Sequence, residues 1–313
     1  MKISVIIVTM NRKNELRDTL NAFIRQTYPD KEIIVIDNAS SDGTREMVTN
    51  EFPMLQYLWL PENFDTRSIN IGVSMSSGDI IWRTDDDSYP ESEFAFEEVV
   101  QIFTKFPNID IIATEDIEVV DNFTIYDWYP LKIDKDKIPE YGFKSNIFIG
   151  NGAAIRKKVF DKIGGFGSFG FEEVDFSFRA IIAGFNIRYF PSIRILHFAS
   201  QNSRLKPERW IKMSTQYTRL QMRFFPFPLA LGRAFMVIVF QMFSGIIKLL
   251  PISVLIEGFL SMLNIIFSTC RKDRLPVAKD KIQDITLGVG LFYNQWQYFQ
   301  QIFTRRLKIW LKK

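Results

Sequence analysis

Short hydrophobic runs, each closed by a polar cluster, dominate the first part of the chain. Residues 3–8 (ISVIIV) form a continuous β-branched run, the pattern of a strand buried on both faces of a parallel sheet. Residues 11–26 follow with Leu16, Leu20, Phe23 and Ile24 at helical spacing. Residues 32–36 (EIIVI) give a second buried strand, and the polar turn DNASSDGT at 37–44 leads from it into a helix. A third strand is predicted at 55–60 and a short helix at 70–76. A fourth strand at 79–84 (DIIWRT) runs into Asp85-Asp86-Asp87. Further strands are predicted at 111–114 and 147–155, followed by a helix from Lys157, a Gly-rich loop at 164–167 and a helix over 172–183. Short strands at 187–190 and 193–197 complete the series. Such alternation specifies an α/β fold with a mostly parallel sheet flanked by helices.

After Gln201 the strand pattern stops, and the remainder is helical and apolar, interrupted by Pro226, Pro228 and Pro251. The apolar stretch 234–247, bounded by Arg233 and Lys248, falls short of the ~20 residues that span a bilayer. Residues 249–269 are long enough but contain Pro251, Glu257 and Gly258. The end of the sequence, 305–313, is a cationic amphipathic segment. Two parts are therefore expected, 1–200 and 201–313, the second a monotopic region lying in the cytosolic membrane interface. A buried helical cap, a dimer interface or a true span over 249–269 are the alternatives.

Charge sharpens the division. The net charge of +3 conceals 21 basic against 31 acidic residues in 1–200, and 18 against 5 in 201–313. An acidic part attracts cations; a basic, Phe-rich part attracts anionic lipid. A net charge this small argues against nucleic acid as a partner. With 313 residues, 47% hydrophobic and 24% charged, the chain is neither disordered nor collagen-like. The single cysteine, Cys270, excludes an intramolecular disulfide and a Cys-cluster zinc site. No secretory leader is visible, so the N-terminus reads as cytosolic.

In parallel sheets ligands sit beyond the carboxyl ends of the strands, where the polar clusters 9–12, 37–42 and 85–87 fall. Three adjacent carboxylates repel one another, and a Mg²⁺ or Mn²⁺ ion relieves that cost; a solvated acidic turn is the structural alternative. His197, the only histidine, is either a structural residue or a ligand completing that site, and an imidazole favours Mn²⁺. Glu172, Glu173 and Asp175 form a second acidic cluster at a helix start. One of them serves as general base, or Asp175 pairs with Arg179 at i,i+4 on the helix surface. Neither G-x-G-x-x-G after the first strand nor a Walker A sequence is present, which disfavours dinucleotide binding.

Together these residues resemble a family-two glycosyltransferase with the GT-A fold. Three segments carry the likeness, in the family's order: 4–44, 70–91 (NIGVSMSSGDIIWRTDDDSYPE) and 150–198. The resemblance implies an inverting transfer from a nucleoside-diphosphate sugar; with the basic, apolar tail it points to a hydroxyl of a glycan or lipid-linked acceptor at the cytosolic membrane face, membrane lipid and a second copy of the chain being the further partners the tail suggests. It implies that Thr9, Asn11, Asp37, Asn38 and Asp86 hold the nucleotide, and that Asp85, Asp87 and His197 hold Mn²⁺ or Mg²⁺. Asn38 stands where the family often has a second Asp. The base maps to Glu173, one methylene longer than the family's usual Asp, which leaves Glu172 and Asp175 as rivals. A catalytically silent membrane scaffold on the same fold, or an aspartate-nucleophile phosphatase using Asp85-x-Asp87, are the other classes. Nucleotide-sugar hydrolysis separates the first from the transferase, and the phosphatase motif belongs after the first strand.

Overall fold

The computed structural model describes residues 1–119, 124–126, 128–198 and 207–287. The chain divides into two compact units, Met1–Ala199 and Ser200–Lys313. In the first, β1 (Ile3–Thr9), α1 (Lys13–Arg25), β2 (Lys31–Asn38), α2 (Thr44–Glu51), β3 (Gln56–Leu60), α3 (Ser68–Met75) and β4 (Ile80–Asp85) alternate as the hydrophobic pattern predicts. They are followed by β5 (Ser88–Pro90), α4 (Ala95–Lys105), β6 (Ile111–Glu118), β7 (Thr124–Tyr126), β8 (Phe143–Ser145) and β9 (Ala153–Arg156). The unit ends with α5 (Lys157–Ile163), α6 (Glu172–Ile182) and β10 (Ile187–His197).

The sheet runs β3-β2-β1-β4-β9-β6-β10-β5, with β7 on β6 and β8 on β10. Strands β1 to β4 are mutually parallel, and β9 enters antiparallel between β4 and β6, so the sheet is mixed. Registers Thr9↔Asp37 and Val8↔Asp85 bring three polar strand ends to one edge. Ile3, Val5, Ile7 and Trp82 pack on one face against Leu16, Leu20 and Phe23 of α1 and Phe96, Val99 and Phe103 of α4. The rings of Phe23, Trp82 and Phe96 meet at centroid distances of 5.1–6.4 Å. On the other face α3 approaches so closely that a Cβ on Gly72 would lie 2.5 Å from Ile6.

Three differences from the sequence pattern have local causes. The run 147–155 becomes a strand only from Ala153, because Gly150 and Gly152 shape a turn before it. The two predicted short strands are one, β10, interrupted by a register shift between Phe190 and Arg194 where Pro191 can donate no ladder hydrogen bond. Helix α4 lies outside the predicted elements, although Phe96, Val99 and Phe103 recur at i, i+3, i+7.

The second unit contains α7 (Pro207–Phe224), α8 (Leu229–Ile247), α9 (Ile252–Lys272) and α10 (Ile282–Thr286). Pro251 sits at the N-cap of α9 rather than inside it. The reading of 234–247 as too short to span is corrected: α8 begins at Leu229 and carries Arg233 within it, the guanidinium donating to Gln221 Oε1 at 2.7 Å. Both α8 and the Ile252–Thr269 stretch of α9 are long and apolar enough to cross a membrane. The cationic segment 305–313 lies outside the described residues.

Candidate active site

At the carboxyl end of β1, Thr9 is buried and its hydroxyl donates to Asp86 Oδ2 at 2.8 Å. Asn11 follows with φ +53°, a left-handed conformation that Asn tolerates better than most residues. Its side chain accepts from the Ser41 amide at 2.8 Å, while its own amide donates to Ser40 Oγ at 2.8 Å. The ends of β1 and β2 are thereby locked together. Asp37, fully buried, accepts from the Ser40 amide at 2.8 Å and from the Tyr57 hydroxyl at 2.6 Å. Asn38 points to the segment after β3: its amide nitrogen donates to Ser68 Oγ at 3.0 Å and the Asp65 carbonyl at 3.2 Å, and its oxygen accepts from the Phe64 amide at 3.3 Å. Both residues thus have internal partners and act on the shape of the edge.

The aspartate run is divided between two arginines. Arg12 reaches Asp86 Oδ1 at 3.0 Å and Asp87 Oδ2 at 2.8 Å. Arg83, in β4, lies 3.1 Å from Asp85 Oδ1. Asp85 is half-exposed, whereas Asp86 and Asp87 are buried. Burial pushes the Asp86 carboxyl up to about 7 despite the opposing Arg12, and burial together with the neighbouring Asp85 pushes Asp87 up. His197 arrives by strand pairing, since antiparallel β5 sets it opposite Ser88. Its Nε2 stands 3.7 Å from Asp87 Oδ1 and its Nδ1 3.5 Å from Asp116 Oδ1. Burial pulls the imidazole down, but Asp116, Asp87 and Asp85 together outweigh it and raise its pKa.

The second acidic cluster opens α6, after Phe171 at φ +60°. Glu172 is buried; its Oε2 accepts from the Gly170 amide at 2.7 Å, and burial followed by the adjacent Glu173 pushes it up to about 8. Glu173 lies 3.2 Å from Arg83, which opposes the upward push of burial. Asp175 is turned elsewhere: it accepts from Arg179 Nε at 2.7 Å, while that guanidinium also donates to the carbonyls of Ile163 and Gly165. The structure therefore brings Glu172 and Glu173 to Arg83 and Asp85, and engages Asp175 with the Gly-rich loop.

Asp85, Asp87 and His197 offer hard oxygen and imidazole nitrogen, a donor set that suits Mg²⁺ or Mn²⁺. The His197 Nε2 to Asp87 Oδ1 gap is too long for a hydrogen bond, and His197 Nδ1 and Asp116 Oδ1 are buried without a hydrogen-bond partner. Among the described residues no three such side chains converge as a finished cage. Asp116 carries no signal in the local sequence beyond its place on a strand, and Arg83 shows there only as a charge in an apolar strand; their partners are recognisable once the fold is known.

The model of glycosyl transferase family 2 matches residues 4–164. Over 238 residues the chain is 28% identical to "Probable glycosyltransferase YdaM" of Bacillus subtilis (strain 168), covering 70% of this chain and 54% of that protein. The chain spans about half the length of the curated relatives it matches. Among solved structures, S. aureus TarS 1–349 in complex with UDP-GlcNAc is similar at TM-score 0.63 and 14% identity, covering 85% of this chain and 82% of that one. A mannosyltransferase from Pyrobaculum calidifontis, PcManGT, in complex with GDP-Man and Mn²⁺, is similar at TM-score 0.55 and 17% identity, covering 100% and 88%. At these identities the likeness carries the fold, GT-A.

Proposed function

This chain belongs to glycosyl transferase family 2, and on that premise we propose that it transfers a sugar, with inversion, from a nucleoside-diphosphate sugar to a hydroxyl of a glycan or lipid-linked acceptor at the cytosolic face of a membrane. The observation that carries this reading is the convergence of buried Asp86 and Asp87 with the ends of β1 and β2, and of Glu172 and Glu173 on the adjoining Arg83. The donor's nucleotide lies along Thr9, Asn11, Asp37, Asn38 and Asp86, the last three through the backbone and loop segments they hold. Asp85, Asp87 and His197 would hold a divalent ion, which supplies positive charge against the diphosphate when bound. Glu173 takes the proton from the acceptor hydroxyl as that oxygen attacks the anomeric carbon and the bond from that carbon to the diphosphate oxygen breaks, releasing the nucleoside diphosphate, with Glu172 as the rival base. One displacement inverts the centre without a covalent sugar–enzyme intermediate. The apolar helices α8 and α9 hold the chain at the membrane.

The test is a thermal-shift screen of the full chain with nucleoside diphosphates and nucleotide sugars in the presence of Mn²⁺ or Mg²⁺. A ligand at 100-fold over its Kd stabilises by about 2.7 kcal/mol. Stabilisation by one diphosphate, with release of it from the matching nucleotide sugar, is expected. No response to any of them removes the reading, and binding without turnover or hydrolysis favours a silent scaffold.

A further inference from the structure

Arg83 has no part in the chemistry above, yet its side chain is only 4% exposed. It emerges from an apolar strand whose Ile80, Ile81 and Trp82 are fully buried. A guanidinium there is costly unless it is paired. Elsewhere in this unit, half-buried arginines secure backbone: Arg156 donates to the carbonyls of Ile109 and Phe103, and Arg179 to those of Ile163 and Gly165. Arg83 differs, for its Nε and Nη1 donate no hydrogen bond and its close polar neighbours are carboxylates. Nη1 lies 3.1 Å from Asp85 Oδ1; Nη2 lies 3.2 Å from Glu173 Oε1 and 3.8 Å from Glu172 Oε1.

The three acids come from two elements. Asp85 is two residues further along β4, so it shares the Arg83 face of the pleat, while Glu172 and Glu173 open α6. Gly150 closes over the contact: a Cβ there would overlap both the Arg83 guanidinium and Glu173 Oε1. Only a residue without a side chain leaves that ion pair its present geometry.

We infer that Arg83 is a positioning residue for transfer: one buried cation, covered by Gly150, that anchors the base Glu173 beside Asp85 so that the acceptor and donor halves of the site share a rigid support. The inference rests on the glycosyltransferase reading. Without the cation, the three carboxylates would repel across the same space, and Glu173 would swing among rotamers instead of waiting at the acceptor hydroxyl.

The experiment uses the full chain with Arg83→Met, Arg83→Lys and Gly150→Ala, the last keeping every charge and covering the case in which Arg83→Met fails to fold. Carboxyl-carbon NMR of ¹³C-Glu protein, with Glu173→Gln assigning the signal, follows Glu173 as pH is varied. The charged groups facing it are Arg83, Glu172 and Asp85. Its midpoint is expected to rise by about one unit or more in Arg83→Met and Gly150→Ala, and by less in Arg83→Lys. Turnover of the nucleotide sugar found by the screen is expected to fall about 100-fold, with the Kd for its nucleoside diphosphate within about threefold. In a Glu173→Gln background neither variant is expected to add more than about threefold. An unchanged Glu173 titration, or losses that multiply fully with Glu173→Gln, overturns the inference. If the titration shifts but the wild-type chain neither binds nucleoside diphosphates nor turns over a sugar donor, the ion pair stands, and the glycosyltransferase reading and the transfer role fall.

Discussion

Five carboxylates crowd one sheet edge against two guanidiniums. Arg12 faces Asp86 and Asp87, and Arg83 faces Asp85, Glu172 and Glu173. Burial lifts Asp86 to about 7 and Glu172 to about 8, and the surplus of negative charge adds to each. That surplus also makes the edge a place where a divalent cation is favoured. Asp87 sits where the two possibilities separate, between Arg12 at 2.8 Å and His197 at 3.7 Å. The expected result for Asp87→Ala is loss of transfer, with nucleoside-diphosphate binding that no longer responds to Mn²⁺ while the fold survives. A thermal-shift titration with and without the metal checks this, and full activity in the variant removes Asp87 from the metal assignment. Glu173→Gln is expected to lower turnover by about 10²–10⁴ with donor binding intact, as loss of a general base does. If Glu172→Gln has that effect instead, the base lies one residue earlier. Asp175→Asn is expected to act differently, through Arg179 and the loop carbonyls it supports.

At the scale of elements, what the sequence makes visible is what is encoded locally. Strands β1, β2 and β4 are short β-branched runs, and the aspartates are consecutive, so both are readable from neighbours in the chain. His197 is a different case: nothing beside it in sequence points to Asp87, and the two meet because β10 pairs with β5. Arg83 is legible as a charge in an apolar strand, but its partners Glu172 and Glu173 are almost 90 residues away and reach it only after α6 is packed. Asp37 and Asn38 show the reverse limit. Their position at a strand end was evident, while their internal partners Tyr57 and Ser68 depend on β3 and α3 docking against β2. The opposite end of the same strands has its own anchor. Glu32 accepts from Lys2 at 2.9 Å, from the Ser4 hydroxyl at 2.5 Å and from the Ser77 amide at 2.7 Å, tying β1, β2 and the turn before β4 together. These bonds outweigh burial, the largest single influence, and hold its pKa at about 2. A depressed carboxylate pKa stabilises the fold above the unfolded value and loses that contribution as pH falls through the folded value. Glu32→Gln is therefore expected to cost about 1–2 kcal/mol at pH 7, allowing for solvent screening. The gap from wild type should narrow as pH falls from the ordinary Glu range of about 4.5 toward 2. Urea denaturation at a series of pH values measures it, and a constant gap would show that shape rather than charge is at stake.

At the scale of the whole molecule, the two units differ in charge and in surface. The net charge is −10 over 1–200 and +13 over 201–313. The exposed side of α8 presents Phe235, Val239, Phe243 and Ile246, spaced by three or four residues, and α9 presents Ile252, Ile256, Leu260 and Phe267. Their other sides are committed within the unit: Trp210 of α7 lies against Gly245 and Gly258, and Ser214 of the same helix bonds to Gln241 at 3.2 Å. Only part of each helix is enclosed, 39% of the apolar stretch in α8 and 22% of that in α9 being buried, so most of this apolar length faces outward. The prediction is that the full chain binds vesicles containing anionic lipid, with two separable contributions. Basic side chains near a lipid surface contribute about 1 kcal/mol each and are screened by salt. Each large apolar side chain that enters the acyl region contributes about 1.5–3 kcal/mol and is not. In a flotation assay, 1 M salt is expected to weaken binding without abolishing it. Serine at Phe235, Phe243, Ile256 and Leu260 together is expected to lower affinity more than tenfold at low salt and to make the residual binding fully salt-sensitive, because only the charge attraction is left. Complete release of the unsubstituted chain by salt would mean contact without insertion. Indifference to vesicles would assign the exposed stripe to a protein partner, and a protease-protected fragment covering α8 and α9 would favour a true span.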